Sequence, residues 1–507
     1  MIHSRTVMKQ ISGAPGLLER HAWRVAVAAS VLVLFLLAVS PAAGAIFTVN
    51  DTTDLVDTSP GDGTCRTTVF TCSLRAAIQE ANALAGPDDV TVPAGIYTLT
   101  ITGTHEDGAT TGDLDIASDV DITGAGLGQT IVDGNGTDRV FHLLAGLVTI
   151  TDMTVRGGRA DLLDSYLGGG ISAELPESGT FDLERVEVTG NVANSGGGMR
   201  MGPNGVVDII DCIFSNNHAA ALSFTNADGG ALETRGDTDI VGTTFVGNRA
   251  GTQVGAGIWG DSTPALSVRN STFRGNLGDA IASDHSNVDL RNVTISGNEG
   301  YGLNFYSFDG ADSLSVKNSI LADNESDCRF RGTVPTALDF AGKHNLDSDG
   351  TCPLDDTAVD LPSTAPLLGP LLSNGGTSPT LVPLVGSPVI DAGDDGACEA
   401  DDQRGAPRPL DGDGAGGAVC DIGAVEVLPC IATPDWVLPA QTVTTTANFA
   451  ACFTLTAGPG FIVGTPAVVT FRARDAIVLR DGFSVTGSPV TFRAVLDPAA
   501  GSGIVLP

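Results

Sequence analysis

An asparagine recurs every 22 to 33 residues up to position 324, and this repeat limits the possible folds more than any other feature of the chain. Gly158 takes the anchor position in the first unit. The anchors that follow it are Asn191, Asn217, Asn248, Asn276, Asn298 and Asn324. A repeat of this length indicates a solenoid, in which each unit packs against its neighbours.

Core positions precede each anchor by three, five, eight and ten residues. In the unit that ends at Asn217 they are occupied by Val207, Ile209, Cys212 and Phe214. Side chains two residues apart on a strand lie on the same face, as Val207 and Ile209 do, and as Cys212 and Phe214 do. The second pair is offset from the first by an odd number of positions. The pattern therefore predicts two short strands that meet at a bend, with the apolar residues of both pointing inward. Cys212 would then face the core as a small apolar side chain, and a reactive thiol is the alternative.

A third strand is predicted after each anchor, where small residues precede one aliphatic residue, as in GGGIS at Ile171 and GGGMR at Met199. Stacked three-strand coils pair every strand with its equivalent one coil later, which satisfies the backbone. We therefore predict an all-β parallel β-helix.

The asparagine column is most simply an amide ladder at a turn, and ligand binding is the alternative. Apolar runs from Val90 to Leu143 predict earlier coils.

The charge balance is strongly acidic, with 26 Lys and Arg against 60 Asp and Glu and a formal net charge of −34. This excludes nucleic acid as a default partner.

Residues 1–45 are predicted to be a signal peptide, because basic residues precede the apolar run Val25 to Val39 and small residues end at Ala45. A retained anchor is the alternative. No later segment is long and apolar enough to predict a membrane span in the mature chain.

Cysteine usage agrees with export to an oxidising compartment. Eight of the nine cysteines fall into pairs that are close in sequence, and short loop closure favours joining them in that way. The predicted disulfides are Cys65–Cys72, Cys328–Cys352, Cys398–Cys420 and Cys430–Cys452. Zinc binding is the competing interpretation, but CxxC and HxxxH spacings are absent.

The segment TVNDTTDLVDTSPGDGTCRTTVFTCSLRAAIQEANALAGPDDVTVPAGIYTLTITG resembles the CSLREA domain that opens many secreted bacterial β-helix proteins. The match covers about residues 46–103. Ser73 is predicted to cap an amphipathic helix, Leu74 to Ala83, which covers the otherwise open first coil. The family has a glutamate three residues after the serine, where this chain has Ala76, so the reciprocal half of the capping box is not expected.

Two later segments also resemble parts of secreted bacterial proteins. Residues 375–427, with GSPVIDAG, DQRG, RPLDGDG and CDIGAVE, resemble a choice-of-anchor domain. The end of the chain is similar to a coathanger-stack domain, because Phe449, Phe471 and Phe492 align, as do Phe461 and Phe483. The family resemblance implies a right-handed helix of the pectin-lyase-like superfamily. The predicted division is 1–45 leader, 46–103 cap, 104–330 β-helix, 331–429 β-helix end and anchor-like segment, and 430–507 small β domain.

P-loop, HExxH and GxSxG motifs are absent, so no catalytic site can be assigned from a motif. The candidate site residues are therefore those that point outward at equivalent positions of successive coils. Parity on the third strand predicts that Arg200, Glu233, Trp259 and Asn304 are exposed, beside Asp261, Asp284, His285 and Tyr306. Arg200, Trp259 and Tyr306 are candidate ligand-binding residues, and Glu233, Asp284 and His285 are candidate catalytic residues. The structural alternative is that the tryptophan covers a loop base.

A second outward column, nine residues before the anchors, has carboxylates on three consecutive coils, at Asp182, Asp208 and Asp239. Such carboxylates repel one another and must be solvated, protonated or bridged by calcium, and a solvated acidic edge is the simpler interpretation. Asp411 and Asp413 begin like a calcium loop but lack the later ligands of an EF-hand, and a Gly/Asp-rich turn is the simpler interpretation. Calcium is therefore the candidate cofactor.

These observations predict a secreted or surface-displayed, non-enzymatic β-helix protein that binds an extracellular polysaccharide or another cell-surface component. The alternatives are a polysaccharide lyase or glycoside hydrolase that acts along the Glu233, Trp259 and Asp284 face, and a structural spacer. The enzyme alternative depends only on the groove that elongated β-helices offer, which is an analogy between folds.

Overall fold

The computed structural model describes residues 44–507 with gaps. Up to residue 427 the gaps are 105, 161–166, 221–226, 252–253, 309, 334–336, 341, 355, 385 and 413–415. Beyond it they are 428–434, 439–440, 444–446, 452–453, 458–460, 465–466, 474–475, 481–482, 487–489 and 497–507. Most of the predicted leader, together with Asp413, Cys430 and Cys452, lies outside the described residues.

Residues 46–347 form a parallel β-helix with three walls, as the repeat predicts. The first wall contains β1 (Ile46–Thr48), β2 (Asp88–Thr91), β5 (Val120–Thr123), β8 (Leu147–Arg156), β10 (Thr180–Thr189), β13 (Val206–Ile210), β17 (Asp237–Val241), β21 (Leu266–Arg269), β24 (Asn287–Arg291), β27 (Ser313–Lys317) and β30 (Ala337–Asp339). The second wall contains β3 (Gly95–Thr98), β6 (Thr130–Asp133), β14 (Ile213–Ser215), β18 (Thr244–Val246), β22 (Thr272–Arg274), β25 (Thr294–Ser296), β28 (Ile320–Ala322) and β31 (Leu346–Asp347). Strands β8 and β10 run through the bend and belong to both walls.

The third wall is a separate nine-stranded sheet. Its strands are β4 (Leu114–Ile116), β7 (Phe141–Leu143), β9 (Ile171–Ala173), β12 (Met199–Met201), β16 (Leu232–Thr234), β20 (Ile258–Asp261), β23 (Ile281–Asp284), β26 (Tyr301–Ser307) and β29 (Ser326–Gly332). Short pairings at the turn before this wall involve β11 (Val192–Ala193), β15 (His218–Ala219) and β19 (Arg249–Ala250). The pairings between successive coils are parallel, so each wall stacks equivalent residues of the repeat.

The bend between the first and second walls has one backbone conformation that repeats along the stack. The residue six positions before each anchor has a positive φ, for example 55° at Asp211 and 46° at Asn270. Aspartate, asparagine and glycine tolerate this left-handed region better than other residues. The backbone turn reverses side-chain parity, which is why both strands point their apolar residues inward.

The core of the β-helix is thin and ordered in columns. Phe214, Phe245 and Phe273 occupy the position three residues before the anchor, and their rings stack with centroids 5.1 and 4.6 Å apart. All three are fully buried. Stacked rings of this kind add to the stabilisation from apolar burial and fix the register between coils.

A helix closes the first coil, as predicted. Helix α1 (Leu74–Ala83) begins after Ser73, whose Oγ accepts a hydrogen bond from the backbone N of Ala76 at 3.1 Å. The helix buries Leu74, Ala77, Ile78 and Ala81 against the β-helix core. Apolar side chains of the first coil are thereby removed from water.

Residues 375–427, here called the return segment, run back along the bend between the first two walls. Asn270 donates to the backbone O of Asp401 at 2.7 Å, and Asn318 donates to that of Asp394 at 3.0 Å. Gln403 donates to the hydroxyl of Thr244 at 2.8 Å. The return segment therefore covers several successive coils from the side.

The three described disulfides join Cys65 to Cys72, Cys328 to Cys352 and Cys398 to Cys420. These are three of the four pairs that short loop closure predicts. Cys212 is free and fully buried, and burial raises the pKa of its thiol to about 12. The inward position predicted from parity is thus the one it occupies.

The described part of residues 435–496 forms three small parallel sheets. They contain β32 (Asp435–Leu438), β35 (Thr454–Ala457) and β38 (Ala476–Leu479); β33 (Gln441–Val443), β36 (Phe461–Val463) and β39 (Ser484–Val485); and β34 (Ala447–Ala451), β37 (Ala467–Ala473) and β40 (Val490–Leu496). Phe449 pairs with Phe471, but Phe492 pairs with Val469, so the predicted alignment of the third phenylalanine is wrong by two residues. A sequence period of 21 to 22 residues does not fix which residues of neighbouring strands pair. The last strand can therefore pair two residues away from the predicted alignment.

Candidate functional site

The outer surface of the third wall carries a column of polar and aromatic side chains. Strand pairing places Arg200 beside Glu233, and Glu233 beside Trp259, on consecutive coils. Outward parity predicts exposed side chains here, and for the charged pair this prediction is wrong. Arg200 is 6 % exposed and Glu233 is 2 % exposed. Parity determines which way a side chain leaves the sheet, whereas exposure depends on what lies above the sheet.

An ion network joins this column to its neighbours. Arg200 pairs with Glu174, and its Nε lies 3.7 Å from Glu233 Oε2. Arg235 reaches Glu233 Oε1 at 3.2 Å and Asp261 Oδ2 at 2.6 Å. Arg235 and Glu174 were not among the predicted site residues. The signal for Arg235 was present, because it follows Glu233 by two positions and therefore has the same parity.

Three buried atoms in this network have no hydrogen-bond partner among the described residues: Arg235 Nε, and the facing pair Glu233 Oε2 and Arg200 Nε. Their 3.7 Å separation is an ion pair but too long for a hydrogen bond. Burial lowers the pKa of Arg200 because the charged form loses solvation. Buried polar atoms usually have a hydrogen-bond partner. Glu233 Oε2 and Arg200 Nε can therefore each form a hydrogen bond with a ligand.

Aromatic rings and a further carboxylate continue the surface on later coils. Trp259 is partly exposed and meets Tyr306 edge to face, with ring centroids 6.3 Å apart. Asp284 lies beside Asp261 in register, and its Oδ1 is 2.8 Å from Nδ1 of His285. Burial raises the pKa of Asp284, opposed by the nearby His285.

A cleft of about 360 Å³ opens over these residues. It is lined by Leu167, Ser195, Arg200, Asp228, Glu233, Arg235, Trp259, Asp261 and Asp284. His285 and Tyr306 lie next to this lining and are not part of it. The structure thus brings Arg200, Glu233, Trp259 and Asp284 into one concave site. Asn304 lies further along the wall and is 1 % exposed, so its predicted exposure is wrong.

The acidic column on the first wall is in register, with Asp182 beside Asp208 and Asp208 beside Asp239. Burial together with the charge of the next carboxylate raises the pKa of Asp182 and of Asp208. Arg269 from the next coil pairs with Asp239. The arginine side chain therefore reaches back one coil to the last of the three acids.

Carboxylate and imidazole groups converge elsewhere in the described chain. Two sets of three residues have ligand atoms within 4.8 Å of one another, Asp107 with Asp115 and His142, and Asp327 with Asp347 and Asp349. Neither set contains the acidic column or Asp411.

The asparagine column is a continuous hydrogen-bonded ladder inside the turn. The backbone N and the Nδ2 of Asn248 both donate to Asn276 Oδ1, each at 3.0 Å. Its Nδ2 also donates to the backbone O of Phe214 at 2.9 Å. The same pattern links Asn191, Asn217, Asn248, Asn276, Asn298 and Asn324. Because both ends of each amide are engaged, the column holds the stack together.

Within the described residues, no helix combines the length and apolar character needed to cross a bilayer. No curated protein matches the sequence. A solved structure similar to this chain is that of an alginate lyase of the PL6 family, AlyGC, at 11% identity, covering 85% of this chain and 74% of that one. The TM-score is 0.18, and a likeness at this level supports no inference about the present chain.

Residues 140–325 match the family described as the right handed beta helix region. The matched range runs from the end of the early coils to just past the last asparagine anchor. Together with the three parallel walls, this makes the fold a right-handed parallel β-helix.

Proposed function

We propose that this protein binds a glycan in the cleft on the third wall and performs no chemistry on it. The observation that carries the proposal is the combination of a partly exposed tryptophan with two buried polar atoms that lack partners, all in one cleft. At about 360 Å³ the cleft falls at the lower end of the roughly 300–1,000 Å³ range of small-ligand sites. This size suits one or two sugar units of a longer chain.

Sugar hydroxyls match the unused hydrogen-bonding capacity of the cleft. Glu233 Oε2 can accept from a hydroxyl, and Arg200 Nε can donate to one. A buried polar atom left without a hydrogen bond costs about 1–3 kcal/mol, so a ligand that bonds to both atoms recovers that cost. The face of Trp259 offers an apolar surface on which a pyranose ring can stack.

The charge of the cleft favours a neutral or amino-bearing glycan over a polyuronate. Four carboxylates in the lining, from Asp228, Glu233, Asp261 and Asp284, face two arginines. The chain as a whole has a net charge of −34. A polyanionic ligand would meet repulsion both on approach and in the site.

A glycan array probed with the purified protein tests the proposal. We expect binding to neutral or amino sugars, and quenching or enhancement of tryptophan fluorescence when the same sugar is titrated. Trp259→Ala and Glu233→Gln should each weaken binding by at least about tenfold, which corresponds to roughly 1.4 kcal/mol. Phe70→Ala is the matched control, because it removes an exposed aromatic ring from a different part of the chain.

Failure to bind any glycan would contradict the proposal and favour a structural spacer. Binding that is unaffected by Trp259→Ala and Glu233→Gln would show that the ligand is held elsewhere. Preferential binding of polyuronates would contradict the charge argument.

A second candidate is a glycoside hydrolase or polysaccharide lyase that uses the same cleft. The observation in its favour is that two lining carboxylates have different environments, Glu233 being almost fully buried and Asp284 having a raised pKa. A pair of carboxylates in different environments is the usual acid and base arrangement of glycoside hydrolysis. Release of reducing ends or unsaturated products from a polysaccharide panel, abolished by Glu233→Gln or Asp284→Asn, would favour the enzyme.

We also propose that the protein is secreted or displayed on a bacterial cell surface, with residues 46–103 as a CSLREA-type cap. The capped helix α1 and the Cys65–Cys72 disulfide support this assignment. The same proposal assigns residues 375–427 to a choice-of-anchor-type segment and residues 430–507 to a coathanger-stack-type domain. N-terminal sequencing of protein recovered from the medium or cell surface should begin at Ile46. Recovery of an intact chain from the cytoplasm would contradict it.

A further inference from the structure

The early coils of the third wall hold a group of metal-ligating side chains that the glycan cleft does not use. Asp115 on β4 and His142 on β7 lie side by side in register and are buried. Asp107 reaches them from the exposed loop that precedes β4. Each of the three residues offers one ligand atom, and these atoms lie within 4.8 Å of one another.

The loop that carries Asp107 is held in place by hydrogen bonds outside the group. Glu106 accepts from the backbone N of Gly108 at 3.0 Å and from that of Thr111 at 2.6 Å. Arg75 of helix α1 donates to the backbone O of Ala109 at 3.1 Å. The ligands are therefore positioned by the fold and do not need to be gathered from a flexible loop.

The two buried ligands already have a separation that suits one ion. His142 Nδ1 lies 3.0 Å from Asp115 Oδ1, and Asp115 Oδ2 accepts from the backbone N of Ala109 at 2.8 Å. A tetrahedral zinc ion with bonds of about 2.0–2.2 Å separates its ligands by roughly 3.4 Å. An ion between Nδ1 and Oδ1 would replace their hydrogen bond. The ring would then bind as the neutral tautomer that carries its proton on Nε2 and none on Nδ1, and the Ala109 contact would orient the carboxylate.

A buried hydroxyl next to this group lacks a partner. Ser172 pairs in register with His142 on the following coil, is 1 % exposed, and its Oγ makes no hydrogen bond to any described residue. It lies on the same outward column as Asp115 and His142. Three protein ligands leave the fourth position of a zinc ion to water, and a hydroxyl beside the site can hydrogen-bond to that water.

We propose that Asp107, Asp115 and His142 bind one divalent transition-metal ion of the zinc class. The mixed nitrogen and oxygen donors distinguish this site from a calcium site, since calcium takes oxygen ligands and usually six or more of them. The proposal is independent of the glycan cleft, whose lining includes none of these three residues.

Calorimetric titration of zinc into untagged, chelator-treated protein tests the site. We expect one zinc ion per chain, an increase in melting temperature on binding, and no competition from a large excess of calcium. His142→Ala should abolish the binding. Asp107→Asn should weaken it by about tenfold or more, and this variant should fold because Asp107 is exposed. Cobalt loading provides a second readout, because tetrahedral nitrogen and oxygen coordination gives visible absorption that His142→Ala should remove.

His285→Ala is the matched control, since His285 is a partly exposed histidine paired with a carboxylate on the same wall, outside the proposed site. Its zinc titration should match that of the unmodified protein. The proposal is overturned if the protein binds no zinc, if His142→Ala and Asp107→Asn leave zinc binding unchanged, or if calcium competes at equal concentration.

Discussion

Asn324 Nδ2 donates to Asp327 Oδ1 at 2.9 Å, so a carboxylate ends the asparagine ladder of the β-helix. Every amide in the ladder donates in the same direction, from the coil of Asn191 toward that of Asn324. Aligned donors leave an exposed donor at the last coil, and an ionised acceptor is a strong partner for it. Asp327 is itself held by the backbone N of Ser348 at 2.7 Å.

Replacing Asn248 by alanine should destabilise the fold. The substitution removes the Nδ2 that donates to Asn276 and to the backbone O of Phe214, and the Oδ1 that accepts from Asn217, so buried groups on both neighbouring coils lose partners. We expect a loss of roughly 1–3 kcal/mol in the free energy of unfolding for the buried groups left unsatisfied. Denaturant unfolding curves measure it. Asn204→Ala, at an exposed loop position, is the control and should leave the midpoint unchanged, whereas an unchanged midpoint in Asn248→Ala would contradict the role of the ladder.

Cys212 should resist alkylation in the native protein. Its side chain is buried and burial raises the pKa of the thiol to about 12, so both access and the reactive thiolate are suppressed. Peptide mapping after iodoacetamide treatment should find Cys212 labelled only when the protein is unfolded. The same map should show Cys430 joined to Cys452, the fourth predicted disulfide. Rapid labelling of Cys212 in the folded state would contradict its buried position.

Calcium should raise the melting temperature without activating cleavage of pectate or alginate. The carboxylates of Asp182, Asp208 and Asp239 repel one another, and a bridging cation lowers that repulsion. A site with ligand at a hundred times its dissociation constant adds about 2.7 kcal/mol. Melting scans with calcium and with chelator measure the shift.

Asp208→Ala should remove most of this calcium effect, because it takes out the central member of the column. Asp289→Ala is the matched control, since that aspartate stands in the same column between two serines and pairs with Arg291. A calcium response that persists in Asp208→Ala would place the ion elsewhere. Calcium-dependent release of unsaturated products, abolished by Asp208→Ala, would overturn the expectation of no cleavage.

Stability should fall as the pH rises from about 5 to 8. Burial and the neighbouring charge of Glu426 raise the pKa of Asp421 from 3.8 to about 7, and burial raises that of Asp347 to about 6. Between the unfolded and folded pKa values, the folded protein binds more protons than the unfolded chain, so deprotonation disfavours the folded state. The stabilising contribution is complete below about pH 4 and is lost as the pH passes through the folded value of each group.

Melting temperatures across this pH range measure the slope. Asp421→Asn removes the titrating group, so it should flatten the slope whatever its effect on the absolute melting temperature. Limited proteolysis of the return segment, which contains Asp421, should be faster at pH 8 than at pH 5. A melting temperature that rises over the same interval would contradict the assignment.

The local pattern of the sequence was sufficient for the walls of the β-helix and for the cap. Side chains alternate strictly along a strand, so core residues at fixed distances before Asn217 and its equivalents predict both strands and the bend between them. The positive φ of that bend agrees with residue type at Asp211 and Asn270, whereas Arg185 adopts it at the equivalent position without such a preference. Helix α1 followed from Ser73 and its amphipathic period.

The candidate sites depended on contacts that no local pattern contains. Gln403 and Thr244 are 159 residues apart in sequence and hydrogen-bonded in the fold, Arg269 reaches back to Asp239, and Asp107 meets His142 from a loop. The sequence by itself determined which side chains leave each strand inward or outward, because that depends only on backbone parity. Only the tertiary structure decided that Arg200 and Glu233 are covered and form an ion pair, because burial depends on what packs above the sheet and on how far side chains extend between coils.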